Sequence, residues 1–221
     1  MREIDLKAYP KRNQYQWFRT FPDPTYGFNV DIDVDEVVKL TKERKESFFP
    51  SFLYLVMLGV NSIDEMRMRE IDNHIYIYDV IHPTFTVMND EGIYQNAGTR
   101  MCSDFATFYE NVRAKLDETK KLKASEALDR DPLCQSYDVV FATCIPTLSI
   151  KGVVHPIPAN NYNNLSVPRI LWDKYEKKAD GRYHLTLNIT VSHTLVDGFP
   201  LAACFNKIKD LCLNPGSFLV K

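Results

Sequence analysis

Residues 184–191 (HLTLNITV) alternate apolar and polar side chains over eight positions. That period of two places one set of side chains on each face of a strand. The chain leaves this strand through Ser192-His193, turns at Asp197-Gly198 and enters an amphipathic stretch at 199–213. Phe199, Ala202, Ala203, Phe205 and Leu211 are available there to a core. A strand of this length feeding directly into such a helix constrains the chain to an α/β arrangement, with helices packed on a sheet.

The remaining pattern agrees. Alternation predicts strands at 28–34, 74–78 and 84–88, with an Asn89-Asp90-Glu91-Gly92 turn into 93–97 that completes a meander. Further strands are expected at 139–143, 148–150 and 169–175. Helices are expected at 36–46 behind Asp35 as N-cap, from Pro50 to Val60, and from Ser103 as cap to about Leu122. Residues 61–73 continue the second helix or turn. No linker or repeat divides the chain, so residues 1–221 read as one α/β domain with a mixed sheet.

Composition removes several functions. Lys plus Arg total 27 against 29 Asp plus Glu, a net charge of −2, which argues against nucleic-acid binding through bulk positive charge. The Lys120, Lys121, Lys123 cluster reads as a solvated helix end. No apolar run approaches the roughly 18 residues of a membrane span. The polar start of the chain lacks a signal-peptide pattern, and the five cysteines are scattered without zinc or disulfide spacing, so a reduced cytoplasmic protein without a metal is expected. Glycine-rich phosphate-binding loops are absent.

The chemistry sits in Ser192-His193-Thr194-Leu195-Val196-Asp197-Gly198-Phe199. A histidine at a strand-to-helix break is held rigidly and reaches a cleft, and a neutral imidazole serves as a general base near neutral pH. The same residues also fit a satisfied strand-end histidine followed by an Asp-Gly turn.

At this motif the chain resembles the type A chloramphenicol acetyltransferases, whose strand ends in H-H-x-x-x-D-G-F. Trp17-Phe18-Arg19 resembles the family's W-x-R, residues 49–55 its F-Y-P helix opening, and Arg67-Met68-Arg69 its F-R-x-R stretch. Residues 78–87 resemble its H-P-x-F-T-V strand, and Thr143-Cys144-Ile145-Pro146 its S-x-x-P segment. The resemblance implies a two-layer sandwich of the CoA-dependent acyltransferase type, with a mixed β-sheet flanked by helices. It implies a homotrimer with sites at subunit interfaces, where acetyl-CoA as co-substrate meets a small-molecule alcohol acceptor. By the same resemblance His193 is the general base, Thr143 the oxyanion donor, and Asp197 a structural carboxylate paired with Arg19. Lys174 and Tyr175 then lie near the coenzyme.

Three departures bear on the acceptor. Ser192 replaces the family's first histidine, the loop at 20–28 is shorter, and residues 152–164 lack the family's N-x-N-V-A-N segment. Chloramphenicol, another small alcohol, and a trimeric binding protein without useful catalysis therefore all remain readings. Of the other histidines, His82 reads as structural, His74 and His184 as surface residues, and His155 as solvent-facing, with the acceptor pocket as its alternative.

Overall fold

The computed structural model describes residues 1–123, 125, 130–158 and 161–220. In chain order the elements are β1 (Arg2–Ile4), α1 (Arg12–Phe18), β2 (Thr25–Asp33), α2 (Asp35–Glu43), α3 (Phe48–Asn61), β3 (Met68–Ile71), β4 (His74–Ile77), β5 (His82–Met88), β6 (Tyr94–Gly98), α4 (Phe105–Lys120), β7 (Val139–Ile145), α5 (Tyr162–Leu165), β8 (Arg169–Asp173), β9 (Glu176–Lys177), β10 (Tyr183–Ser192) and α6 (Gly198–Leu213).

The main sheet runs β2-β10-β8-β7-β5-β6, with β9 pairing the outer end of β10. β5–β7 and β7–β8 are parallel and the other pairs antiparallel, so the sheet is mixed, as expected. The alternation read at 184–191 extends to Tyr183–Ser192, and β10 pairs with β2 over nine residues, from His184↔Asp33 to Ser192↔Thr25.

The pleat sorts side chains between two environments. Ile32, Phe85, Val87, Val140, Ala142, Ile170, Trp172, Leu185, Leu187, Ile189 and Val191 are buried in one core, which continues into α2, α3, α4 and α6. The alternate positions of the same strands, including Thr84, Thr86, Thr143, Arg169, Asn188 and Thr190, fall on the opposite face. That face is rich in polar groups. α3 is apolar on nearly every side, with ten buried residues, as befits a helix enclosed by others.

Several expectations shift. Strand β4 does not join β5 and β6 in a meander. It belongs to a separate sheet, β1-β4-β3. The cause is local: Asp72 and Asn73 both take positive φ (51° and 69°), the requirement of a type I′ turn, and fold β4 back on β3. Residues 148–150 form no ladder strand. They are tied instead by Lys174 N–H to the Leu148 carbonyl (3.1 Å), Ile150 N–H to Asp173 Oδ2 (2.8 Å) and Thr186 Oγ1 to the Ile150 carbonyl (3.1 Å). Asp104 rather than Ser103 caps α4, accepting from Thr107 N–H at 2.7 Å. Asp35 is the first residue of α2, and its own N–H donates to Asp33 Oδ1 (3.0 Å). The motif arginine Arg69 is fully buried and binds the carbonyls of Met66, Met68, Tyr137 and Val139, locking the small sheet to β7.

Gly59 on α3 meets α6 closely: a Cβ there would lie 2.4 Å from Ile208 Cγ1. Overpacking of this kind costs about 1–3 kcal/mol. Gly59→Ala is therefore expected to lower the melting temperature by about 2–12 °C. An unchanged thermal melt would mean that α3 and α6 are not packed at this distance.

Candidate active site

The backbone position of His193 follows from the β10–β2 ladder. Ser192 pairs with Thr25, so the next residue emerges beside Pro24, and His193 N–H donates to the Pro24 carbonyl at 2.9 Å. Beyond it, Leu195 N–H and Val196 N–H both donate to the Ser192 carbonyl, and Ser192 Oγ lies 2.7 Å from Thr194 Oγ1. The break after the strand is thus a closed turn.

The imidazole lies between two rings. Phe18 stacks on it at 3.9 Å and 13°, and Tyr26 at 4.4 Å and 30°. Nδ1 is buried, forms no hydrogen bond and lies 3.5 Å from Asp197 Oδ1. The side chain keeps 31% exposure. Tyr26 is held in turn by donating from its hydroxyl to the Val196 carbonyl (3.1 Å), and burial together with the Asp197 charge pushes its pKa up to about 12.

Asp197 is the N-cap residue of α6, yet its carboxylate makes no capping bond. It is turned to His193 and to Lys11, whose Nζ is 2.9 Å from Oδ2 and 3.0 Å from Glu65 Oε1. Partial burial opposes the Lys11 charge, but hydrogen bonds to Asp197 and Glu65 outweigh it and raise its pKa.

The expected Arg19–Asp197 pair is not formed. Lys11 is the N-cap of α1 and Arg19 its C-cap, eight residues on and about 12 Å along the axis. Only the first end reaches Asp197. Arg19 Nη2 lies 3.0 Å from Glu70 Oε1 and donates to Asn73 Oδ1 at 2.7 Å, with Tyr162 4.8 Å from its guanidinium carbon. Lys11 is the residue that sequence reading missed. Its signal was a second aromatic-x-cation triplet, Tyr9-Pro10-Lys11, ahead of Trp17-Phe18-Arg19.

Thr143 lies elsewhere. It lines a cavity of about 930 Å³ on the polar face of the sheet, with Thr86, Tyr94, Phe141, His155 and Arg169 among its walls. Its Oγ1 lies 3.1 Å from Thr86 Oγ1. Thr143, Leu171 and Asn188 form one row across the sheet, and His193 lies five residues beyond Asn188. At strand spacings of roughly 3.3 Å along and 4.8 Å across, the two residues are about 19 Å apart in one protomer. The structure does not bring them together within a single chain.

Lys174 is exposed and pairs with Glu176 (3.0 Å), while Tyr175 packs on Phe48 and Tyr183. His155 is not solvent-facing: it is partly buried, lines the cavity and contacts Asn188 Oδ1 through Nε2 at 2.9 Å. His184 is likewise drawn inward, between Asp31 and Asp180. His82 is structural, its Nδ1 accepting from Met101 N–H. In the departing segment 152–164, Pro156, Pro158 and Asn164 also line the cavity, whereas Ala159 and Asn160 lie outside the described residues. Among the described residues no set of three potential metal ligands converges, and no helix is long and apolar enough to cross a membrane.

Comparison with known proteins bears on the whole chain. The family model described as chloramphenicol acetyltransferase matches residues 1–209. A chloramphenicol acetyltransferase of Proteus mirabilis is 24% identical over 212 residues, covering 95% of this chain and 93% of its own. One from Staphylococcus aureus is 24% identical over 221 residues, covering 99% and 98%. Among solved structures, a chloramphenicol acetyltransferase superposes with TM-score 0.85 at 21% identity over 96% of this chain and all of its own. The Azotobacter vinelandii dihydrolipoamide acetyltransferase superposes at 0.67 with 13% identity, over 94% and 88%. The fold is that of the CoA-dependent acyltransferases.

The Arg19 geometry carries its own test. Glu70 is 2% exposed, and burial raises its pKa against the opposing Arg19 charge and Tyr15 hydroxyl. Arg19→Ala leaves that carboxylate without a cation, at a cost of about 3 kcal/mol near neutral pH. Because the Glu70 pKa is raised on folding, the deficit should shrink as pH falls through it and the acid becomes neutral. Thermal melts at several pH values check this, and a pH-independent deficit would contradict it.

Proposed function

The chain belongs to the chloramphenicol acetyltransferase family, and from that premise we infer how it moves an acetyl group from acetyl-CoA to a hydroxyl of chloramphenicol or a similar small molecule. His193 is the general base. The observation that carries this role is its ring, clamped between Phe18 and Tyr26 with Nδ1 turned to an Asp197 that Lys11 holds. Such a setting favours the tautomer with the proton on Nδ1 and leaves the Nε2 lone pair for the acceptor hydroxyl. Nε2 takes the hydroxyl proton as the oxygen attacks the thioester carbonyl. The tetrahedral oxyanion accepts a hydrogen bond from Thr143 Oγ1. Collapse breaks the carbon–sulfur bond, and the imidazolium returns the proton to the CoA thiolate.

The roughly 19 Å between His193 and Thr143 requires a second copy. In the proposed homotrimer, His193 of one protomer faces the cavity of its neighbour. Exposed apolar side chains support this at both places. Trp17 (59% exposed) and Phe199 (92%) belong to the elements around His193, and Met88 and Tyr94 line the cavity while remaining exposed. Lys174 and Tyr175, beyond the Thr143 end of the cavity, are the proposed contacts for the CoA nucleotide, Lys174 exchanging Glu176 for a phosphate. The continuous core supports one domain over residues 1–221. We place the enzyme in the cytoplasm, where acetylating the antibiotic confers resistance.

The test is release of free CoA thiol from acetyl-CoA in the presence of chloramphenicol. His193→Ala should lower kcat by about 10²–10⁴-fold. Lys11→Met should lower kcat more than it raises KM, and Lys11→Arg should restore most of the loss. Full activity in His193→Ala would remove the general base from the account, and full activity in Lys11→Met would remove the positioning pair.

A further inference from the structure

The cavity that holds Thr143 contains a charge that acetyl transfer to a neutral alcohol does not require. Arg169, the first residue of β8, is 6% exposed and lines this cavity. Its guanidinium has five N–H donors. Nη1 donates to the Val167 carbonyl (3.1 Å) and Nη2 to Asn164 Oδ1, and the Phe141 ring lies 5.7 Å from its central carbon. All of these partners are neutral. Among the described residues no carboxylate lies within ion-pairing distance; the charge of Asp23 acts on Arg169 only from beyond contact, and its Oδ1 accepts from the Thr25 N–H and hydroxyl. Burial pulls the Arg169 pKa down, the mark of a cation whose lost hydration is not replaced.

The rest of the wall does not offset it. Among the described residues the cavity lining includes no Asp, Glu or Lys. His155 lies against Asn188, and burial, reinforced by Arg169, lowers its pKa toward the neutral form. The other deeply buried arginine, Arg69, differs: four backbone carbonyls take up its donors, and it is not among the cavity residues. Arg169 pairs with Phe141 in the ladder, two residues before Thr143 on the same face. Those two positions are about 8 Å apart, within the span of a small hydroxy acid.

We propose that the cavity binds an acceptor carrying a carboxylate, which Arg169 engages while the acceptor hydroxyl lies toward Thr143. A guanidinium meets a carboxylate through two parallel hydrogen bonds, and in a buried site this supplies the contacting counter-ion that the described residues do not. The proposal rests on the acetyl-transfer reading of the same site for the position of the hydroxyl, but the anion subsite is defined by Arg169 alone.

The test uses a matched pair built on the chloramphenicol amine: its N-succinyl derivative, which carries a free carboxylate, and the methyl ester of that compound. Calorimetric titration into the wild-type protein should give at least tenfold tighter binding of the acid. Arg169→Leu should abolish the difference, and Arg169→Lys should keep part of it. Equal affinity of acid and ester for the wild type overturns the proposal without recourse to any variant. An acid preference that survives in a folded Arg169→Leu protein overturns it as well. Thiol release is read in parallel with chloramphenicol and both compounds. Silence there together with an acid preference would sink the acetyl-transfer reading and leave the anion subsite standing.

Discussion

The nine-residue pairing of β10 with β2 is the constraint on which the His193 environment depends. It aligns Ser192 with Thr25 and Val191 with Tyr26, and thereby sets the Pro24 carbonyl on the His193 amide and the Tyr26 ring over its imidazole. Side chains alternate with period two, so a slip of one residue would turn Leu187, Ile189 and Val191 out of the core and carry the imidazole away from its stacking partners. The hydrophobic pattern that buries the strand is thus the same pattern that aims the histidine.

Electrostatics then refine what the ladder positions. An aspartate at a helix N-cap ordinarily bonds the first free N–H groups of its helix. Asp197 does not, and its oxygens go to Lys11 and toward His193. Lys11 comes from the far end of the sequence, so the pair ties the N-terminal helix to the α6 turn. Helix α1 carries Phe18 as well, and one short element therefore supplies both the stacking ring and the cation. Arg19 closes the other end of that helix onto Glu70 of the small sheet.

The main sheet was legible because β2, β5 and β10 alternate apolar and polar residues, while β7 and β8 stand out as short apolar runs. The candidate residues His193, Thr143 and Asp197 stood out through motifs near strand ends, and the roles proposed for them rest on the resemblance and the geometry. The Asp197 partner did not stand out. Trp17-Phe18-Arg19 matched a family pattern in residue type, but the choice between Lys11 and Arg19 is decided by which end of α1 approaches α6, and local sequence does not encode that approach. The small sheet was missed for a similar reason, since β1 is three residues long and joins β4 across more than seventy positions. His155 looked like a loop residue and became a cavity wall through its contact with Asn188 on the central strand. Residue type marked the candidate positions, and long-range packing set their partners.

In the proposed assembly two distant parts of the protomer, His193 at the end of β10 and the Thr143 cavity, meet only between copies. Mixed oligomers test it most directly. His193→Ala and Thr143→Ala chains are each expected to be impaired, but a mixed trimer of the proposed kind would contain interfaces that join an intact histidine from one chain to an intact cavity from the other. Random assembly from equal amounts gives such an interface about one time in four, because each site draws its two halves from different subunits. Co-assembled variants should recover about a quarter of wild-type turnover per site. Activity equal to the mean of the two variants assayed alone would place both residues in one protomer's site and contradict the proposed assembly.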